Sequence, residues 1–226
     1  GRMIRDCAAD RGIEVAAEFN TATIAQLAQC DRMDAVIDFS APASLPALAA
    51  YVQRTGTPLV SGTTGYCDEE AARVNALGSY APVAVSANFS IGVAVLKHLA
   101  AEAAALLPDF DIEIIETHHR MKKDAPSGTA KLLLSAVNPD GTHPTVFGRE
   151  GFAPRTAGEI GVHAVRGGTV AGVHTVSFFG DEEELSLTHR AESRRIFAIG
   201  ALKTAEKLKD APVGLHTLDE LLFARR

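Results

Sequence analysis

Apolar residues recur at helical spacing at Met3, Ile4, Cys7 and Ala8, with Gly12 as a stop signal. IEVAAEF (13–19) then reads as a strand. DAVIDFS (34–40) is a second, with the nearly continuous apolar run of a buried parallel strand. Leu45, Leu48, Ala49 and Val52 form another helical stripe, closed by Gly56. TPLVSGTTG (57–65) is strand then loop, and Asp68 is placed as the N-cap of a helix through Leu77, stopped by Gly78. APVAVSANF (81–89) completes the set. Strands alternating with helices in this way predict a parallel, doubly wound α/β domain.

The pattern then changes. A helix from Ser90 to about Leu107 ends at Pro108, FDIEIIETHH (110–119) is a strand, and TAKLLLSAV (129–137) a short helix. GEIGVHAVR (158–166), TVAGVHTVSFFG (169–180) and EELSLTHRAES (183–193) are strand-like runs separated by short glycine-containing turns. Consecutive runs joined by tight turns predict antiparallel pairing, hence a separate α+β domain. A helix over 194–210, with Phe197, Ala201, Ala205 and Leu208 on one face, precedes a short polar–apolar tail. The expected division is 1–89 with 196–226 against 90–195.

Composition narrows the class. The 226 residues carry a net charge of -6, which argues against nonspecific binding to nucleic acid or anionic membranes. No apolar run reaches spanning length. Cys7, Cys30 and Cys67 are an odd number without CxxC spacing, so the expectation is a reduced cytoplasmic protein with no structural zinc.

Chemistry concentrates in ETHHRMKKDAPSGTAK (116–131). Strand alternation places Ile114, Glu116 and His118 on one face and Glu113, Ile115, Thr117 and His119 on the other. The adjacent histidines therefore point apart, unlike the paired ligands of a metal site, and no metal is expected. Lys122 and Lys123 follow, and Pro126-Ser127 is a start signal for the helix beyond. Lysines beside free helical N–H groups suit a carboxylate or phosphate, and a histidine there can pass a proton. The other histidines read as structural or solvated. SGTTG (61–65) and SANFS (86–90) end apolar strands, where open α/β sheets bind ligands; Asn88 could hydrogen-bond an amide, although Asn and Ser also simply cap helices.

Together, IEIIETHHRMKKDAPSGTA, VSGTTGY, SANFSIGV, GREG, GEIGVHAVRGG and LTHRAESRRIFAIGA resemble the landmarks of the 4-hydroxy-tetrahydrodipicolinate reductase (dihydrodipicolinate reductase) family, in order along nearly the whole chain. The resemblance implies a Rossmann-like dinucleotide-binding domain and an α+β substrate and tetramerisation domain with an antiparallel or mixed sheet. It implies hydride transfer from NADH or NADPH to a cyclic imine on the diaminopimelate route to lysine. His118 matches the proton donor/acceptor, Lys122 a second proton donor, His119 a substrate contact, and Gly128 and Thr129 the pair that holds a substrate carboxylate. Gly62, Thr63, Thr64, Ser86, Ala87, Asn88 and Phe89 match cofactor contacts, and Arg2 and Met3 the end of a Gly-rich loop. A homotetramer binding a small dicarboxylate is implied.

Such a fold opens with a strand and a Gly-rich turn, whereas this sequence starts at Gly1-Arg2-Met3, already in the helix. The expectation is a longer natural chain; without that turn, cofactor binding is expected to be poor. Glu18-Phe19-Asn20 has no neighbouring cation for a 2′-phosphate, which leans toward NADH. Two other readings are a different Rossmann-type oxidoreductase acting on an anionic imine, and a dicarboxylate-binding homologue without cofactor. The His118/Lys122/Gly128/Thr129 constellation weighs against both.

Overall fold

The computed structural model describes residues 1–223; the end of the tail, residues 224–226, lies outside the described residues. In chain order the elements are α1 (Arg2–Ala9), β1 (Val36–Asp38), α2 (Leu45–Thr55), β2 (Leu59–Ser61), α3 (Asp68–Ala76), β3 (Pro82–Val85), α4 (Ile91–Leu106), β4 (Asp111–His118), α5 (Gly128–Val137), β5 (Thr145–Phe147), β6 (Ile160–Arg166), β7 (Gly172–Gly180), β8 (Glu183–Ala191), α6 (Arg195–Leu208), β9 (Gly214–His216) and α7 (Leu218–Phe223). The chain divides into two compact units, Gly1–Ser90 with the chain from Arg195, and Ile91–Arg194.

The first unit is a parallel sheet in the order β1-β2-β3-β9. One core cluster joins Leu45, Leu48 and Val52 of α2 and Val74 of α3 to Leu59 and Val83 of the sheet. Another joins Val60 and Ala84 to Phe89 and to Ala201, Ala205 and Leu208 of α6. Layers of helix on both faces are what the continuous apolar strands require. Gly56 ends α2 in the left-handed conformation at φ 66°, where a side chain would be strained.

Two expectations are corrected in this unit. Residues 13–19 form no strand: Val15, Ala16 and Ala17 are exposed, and no described strand lies alongside to supply a ladder. Strand-like composition becomes a strand only with a partner. The N-cap of α3 is Cys67 rather than Asp68; its N–H donates to Glu70 Oε2 at 2.9 Å, and Asp68 sits in the first turn. In the polar–apolar tail, β9 joins the sheet, and Thr217 and Glu220 cap α7 reciprocally at 2.7 and 3.1 Å.

The second unit is a five-stranded mixed sheet in the order β5-β6-β4-β7-β8. The expectation of consecutive antiparallel runs holds for β7 with β8 but fails for β6, which pairs parallel to β4. β4 lies between β6 and β7, so the turn at Gly167-Gly168 does not close a hairpin. It folds back onto β4 instead, Gly167 N–H donating to His118 O at 2.9 Å and Arg120 N–H to Gly168 O at 3.2 Å. Ile114 of β4, Ile160 and Val162 of β6, and Val176 and Phe178 of β7 pack under Leu96 and Ala100 of α4 and Leu133 and Val137 of α5. This covers one face of the sheet.

Candidate active site

The covered face of β4 changes character along its length. Ile112 and Ile114 are followed by Glu116 and His118, so the strand alternation that buries aliphatic residues carries a carboxylate and an imidazole inward too. Glu116 is fully buried. Its Oε1 and Oε2 take a bidentate contact from Arg166, each at 2.7 Å; Oε2 lies 2.6 Å from His118 Nδ1, and Oε1 accepts the Ser127 N–H at 2.9 Å. Burial pushes the Glu116 carboxyl up, but the bonds from Arg166, His118 and Ser127 outweigh it and hold it below the ordinary carboxylate range. The charge is thus satisfied on every side, as burial demands.

Ser127 is the N-cap of α5, its Oγ accepting the Ala130 N–H at 3.1 Å. The same Oγ lies 3.0 Å from Nε2 of buried His174, which stands edge-on to His118 with ring centroids 5.0 Å apart. Burial, helped by the charge of His118, pushes the His174 imidazole down to about 4, so it is neutral at ordinary pH. Lys122 pairs with Asp124 at 2.8 Å and thereby lowers the Asp124 carboxyl. Arg166 reaches this segment as well, Nη2 donating to the Asp124 carbonyl at 2.7 Å. The first helical residue, Gly128, is exposed; a Cβ there would meet nothing within 4 Å, and its φ is not left-handed. Neither packing nor backbone demands glycine at 128, and the helix start stays open to a ligand.

His118, Lys122, Gly128 and Thr129 thus all lie on β4, α5 or the turn between them, and His119, half-exposed, follows directly after the end of β4. Two residues that the local pattern did not place in the site complete the network with the cap residue Ser127: Arg166 against Glu116, and His174 against Ser127. A histidine in β7 at the same alternation as Val176 and Phe178 was the available signal for the last. Among the described residues no group of three or more His, Cys, Asp or Glu side chains is placed to hold a metal ion. No helix there is long and apolar enough to cross a membrane.

In the first unit, the predicted cofactor residues occupy loops at the carboxyl ends of β2 and β3. Thr63 is buried, donating to Asp38 Oδ2 at 2.7 Å and accepting the Ser40 N–H at 3.0 Å, so its hydroxyl is engaged by the protein. Asp38 also accepts from Ser61 at 3.4 Å and from Ser40. Gly62 lies flat against the Phe39 ring, where a side chain would collide. Thr64 and Ala87 are exposed, and Ser86 Oγ bridges the Asn88 N–H and C=O at 3.1 and 2.8 Å. The Phe89 side chain is wholly in the core, so only its backbone could face a ligand. Arg2 and Met3 stand exposed in the first turn of α1. Thr64, exposed, and the backbone groups of these strand-end loops are what the unit offers a nicotinamide nucleotide, the Thr63 and Ser86 hydroxyls being engaged by the protein.

These features define a two-unit α/β protein: a parallel sheet with ligand-type loops at its strand ends, and a mixed-sheet unit bearing a buried acid–imidazole pair beside an open helix start. Comparison with known proteins makes this specific. Residues 5–89 match the dihydrodipicolinate reductase N-terminus model and residues 92–222 the C-terminus model. A 4-hydroxy-tetrahydrodipicolinate reductase of Exiguobacterium sp. is 41% identical over 98% of this chain and 91% of its own length. That of Thermomicrobium roseum is 45% identical over 89% and 79%. The dipicolinate-bound dihydrodipicolinate reductase from Paenisporosarcina sp. TG-14 has the same fold, with a TM-score of 0.70 at 23% identity over 95% of this chain and 84% of that one. The chain belongs to the dihydrodipicolinate reductase family.

Proposed function

We propose that this chain performs the family's reaction, NAD(P)H-dependent reduction of 4-hydroxy-tetrahydrodipicolinate, by way of the unsaturated imine, to tetrahydrodipicolinate in lysine biosynthesis through diaminopimelate. The observation that carries the reading is the buried Glu116–His118 pair adjoining the open start of α5. Reduced nicotinamide, when bound, supplies the hydride; Gly62, Thr63, Thr64, Ser86, Ala87, Asn88 and the Phe89 backbone, with Arg2 and Met3, are the residues that would hold the nucleotide. Every other step falls to side chains. The Gly128 N–H and the Thr129 hydroxyl bind one substrate carboxylate, and His119 and Lys122 add donors. Hydride addition leaves an electron-rich, enamine-like carbon, and His118 with Lys122 delivers the proton.

The residues from 1 to 89 and from 196 onward are read as the dinucleotide-binding domain and 90–195 as the substrate and assembly domain. On the sheet face away from α4 and α5, Ile115, Val165 and Phe179 are exposed. These exposed apolar side chains stand among polar ones on that face, including the Thr175–Thr188 and Ser177–Ser186 pairs. They support self-association through the second unit as a homotetramer, and the family's reaction supports a cytoplasmic protein. Sedimentation analysis showing only monomer would remove that part.

The test of the activity is oxidation of NADH and NADPH in the presence of freshly formed substrate, with pyridine-2,6-dicarboxylate as inhibitor. Turnover that the dicarboxylate suppresses is expected. Absence of turnover together with intact dicarboxylate binding would overturn the reductase reading, and the nucleotide with the higher kcat/KM sets the preference.

A further inference from the structure

Glu116 makes contacts that an aliphatic residue in its place would not, and no proton-transfer role accounts for them. A fully buried carboxylate is costly even when paired, and a hydrophobic replacement of similar size is often no less stable. Arg166 alone, by its bidentate contact, would neutralise it. Yet Oε2 is divided between Arg166 and His118, and Oε1 between Arg166 and the Ser127 N–H. We infer that Glu116, clamped by Arg166, is the positioning residue of the proton-transfer site: it fixes the tautomer and orientation of His118 and ties them to the start of α5. This deepens the proposed function and rests on His118 and Gly128–Thr129 having the roles given there.

The argument runs through the atoms. An ionised carboxylate only accepts hydrogen bonds, so a 2.6 Å contact requires the proton on His118 Nδ1. Nε2 is then the atom left to take up and release a proton. It lies over Gly172, where a Cβ would come within 3.1 Å of it, so the glycine leaves that side of the ring uncrowded. Through Oε1 the same carboxylate holds Ser127, the residue immediately before Gly128 and Thr129, while the Ser127 hydroxyl meets His174, which packs against the His118 ring. Proton donor and carboxylate cradle are therefore braced on one side chain. Arg166, held to Asp124, extends the brace to the segment that carries Lys122.

The test compares Glu116→Gln with His118→Ala in the full chain. The Gln side-chain oxygen can still accept from Ser127 and Arg166, but its NH2 then faces His118 Nδ1 and selects the opposite tautomer. Turnover is expected to fall on the order of 100-fold, by analogy with losing the acid that orients a catalytic imidazole. The Kd for pyridine-2,6-dicarboxylate should stay within about threefold, a change small against the factor of ten per 1.4 kcal/mol. The 15N shifts of the neutral His118 ring should report Nδ1–H in the parent and Nε2–H in the variant. A parent ring that is Nε2–H overturns the inference, and needs no variant that might misfold. So does a Glu116→Gln variant with parental kcat. If His118→Ala itself keeps parental turnover, the proposed site fails; if only Glu116→Gln does, the site stands and the positioning role falls.

Discussion

Asp38 ends β1 in the first unit, and Glu116 lies two residues before the end of β4 in the second; both are buried, and both follow aliphatic residues of their strands. Their partners differ in kind. Asp38 is met by the hydroxyls of Ser40, Ser61 and Thr63. Nearby, burial pushes the Tyr66 phenol up, and the charge of Asp38 adds to this against a bond to Ser61. Glu116 is met by a guanidinium, an imidazole and a helix N-cap N–H. Hydroxyl donors fix the shape of strand-end loops and exchange no proton near neutral pH. A carboxylate shared between arginine and histidine holds a group that does. The first unit thus buries its carboxylate among hydroxyls, and the second buries one in a charged, titratable network.

Breaking the charged network should cost most. Arg166→Met removes both arms of the bidentate contact and leaves a fully buried carboxylate short of its cation. A loss of about 3–5 kcal/mol in urea unfolding is expected, the range found when one partner of a buried pair is removed. Parental stability would mean that Glu116 is not held as an anion, and the contrast with Asp38 would dissolve.

Next in size is a pH effect from His174. Its folded imidazole sits at about 4, below the ordinary value of 6.5, because burial disfavours the charged form. Between these values the unfolded chain binds the extra proton, so stability is full above about 6.5 and falls as pH drops toward 4. The gap corresponds to roughly 3 kcal/mol. His189, also lowered by burial, acts in the same direction. His174→Asn should flatten the slope of unfolding free energy between pH 6.5 and 5, above the range where Glu116 itself begins to protonate. An unchanged slope would show that His174 is not the group being desolvated.

Thr63→Val probes the other side of the comparison. It takes one donor from Asp38 and the acceptor from the Ser40 N–H, at a cost of about 1–3 kcal/mol in thermal or urea unfolding. Because the Thr63 hydroxyl is engaged by the protein, the effect on turnover should be a raised KM for the reduced nucleotide with kcat nearly kept. A lowered kcat with unchanged KM would move Thr63 from loop shaping to chemistry.

Much of this was legible locally. Strand alternation alone placed Glu116 and His118 on one face, and Pro126-Ser127 marked the start of α5, because those signals need no distant partner. What depends on distant partners was hidden. Residues 13–19 have strand-like composition and no strand to pair with among the described residues. The insertion of β4 between β6 and β7 is a choice of neighbours made by packing, so two runs separated by a Gly-Gly turn looked like a hairpin and are not one. Arg166 reaches Glu116 from 50 residues away and His174 reaches Ser127 from 47, distances over which no periodicity speaks.

The smallest effect on stability separates a fold requirement from a functional one most cleanly. Gly128 has ordinary helical freedom, and nothing lies within 4 Å of where its Cβ would be. In a helix glycine costs up to about 1 kcal/mol relative to alanine, less at a first position. Gly128→Ala should therefore leave the melting temperature level or slightly raised. If a substrate carboxylate approaches the helix start there, the added methyl stands in its path, and affinity for pyridine-2,6-dicarboxylate should fall about tenfold, or ~1.4 kcal/mol. Stability gained while binding is lost is the signature of a residue kept for its ligand. Gain in stability with unchanged affinity would place the carboxylate elsewhere and leave the glycine without a role that the fold explains.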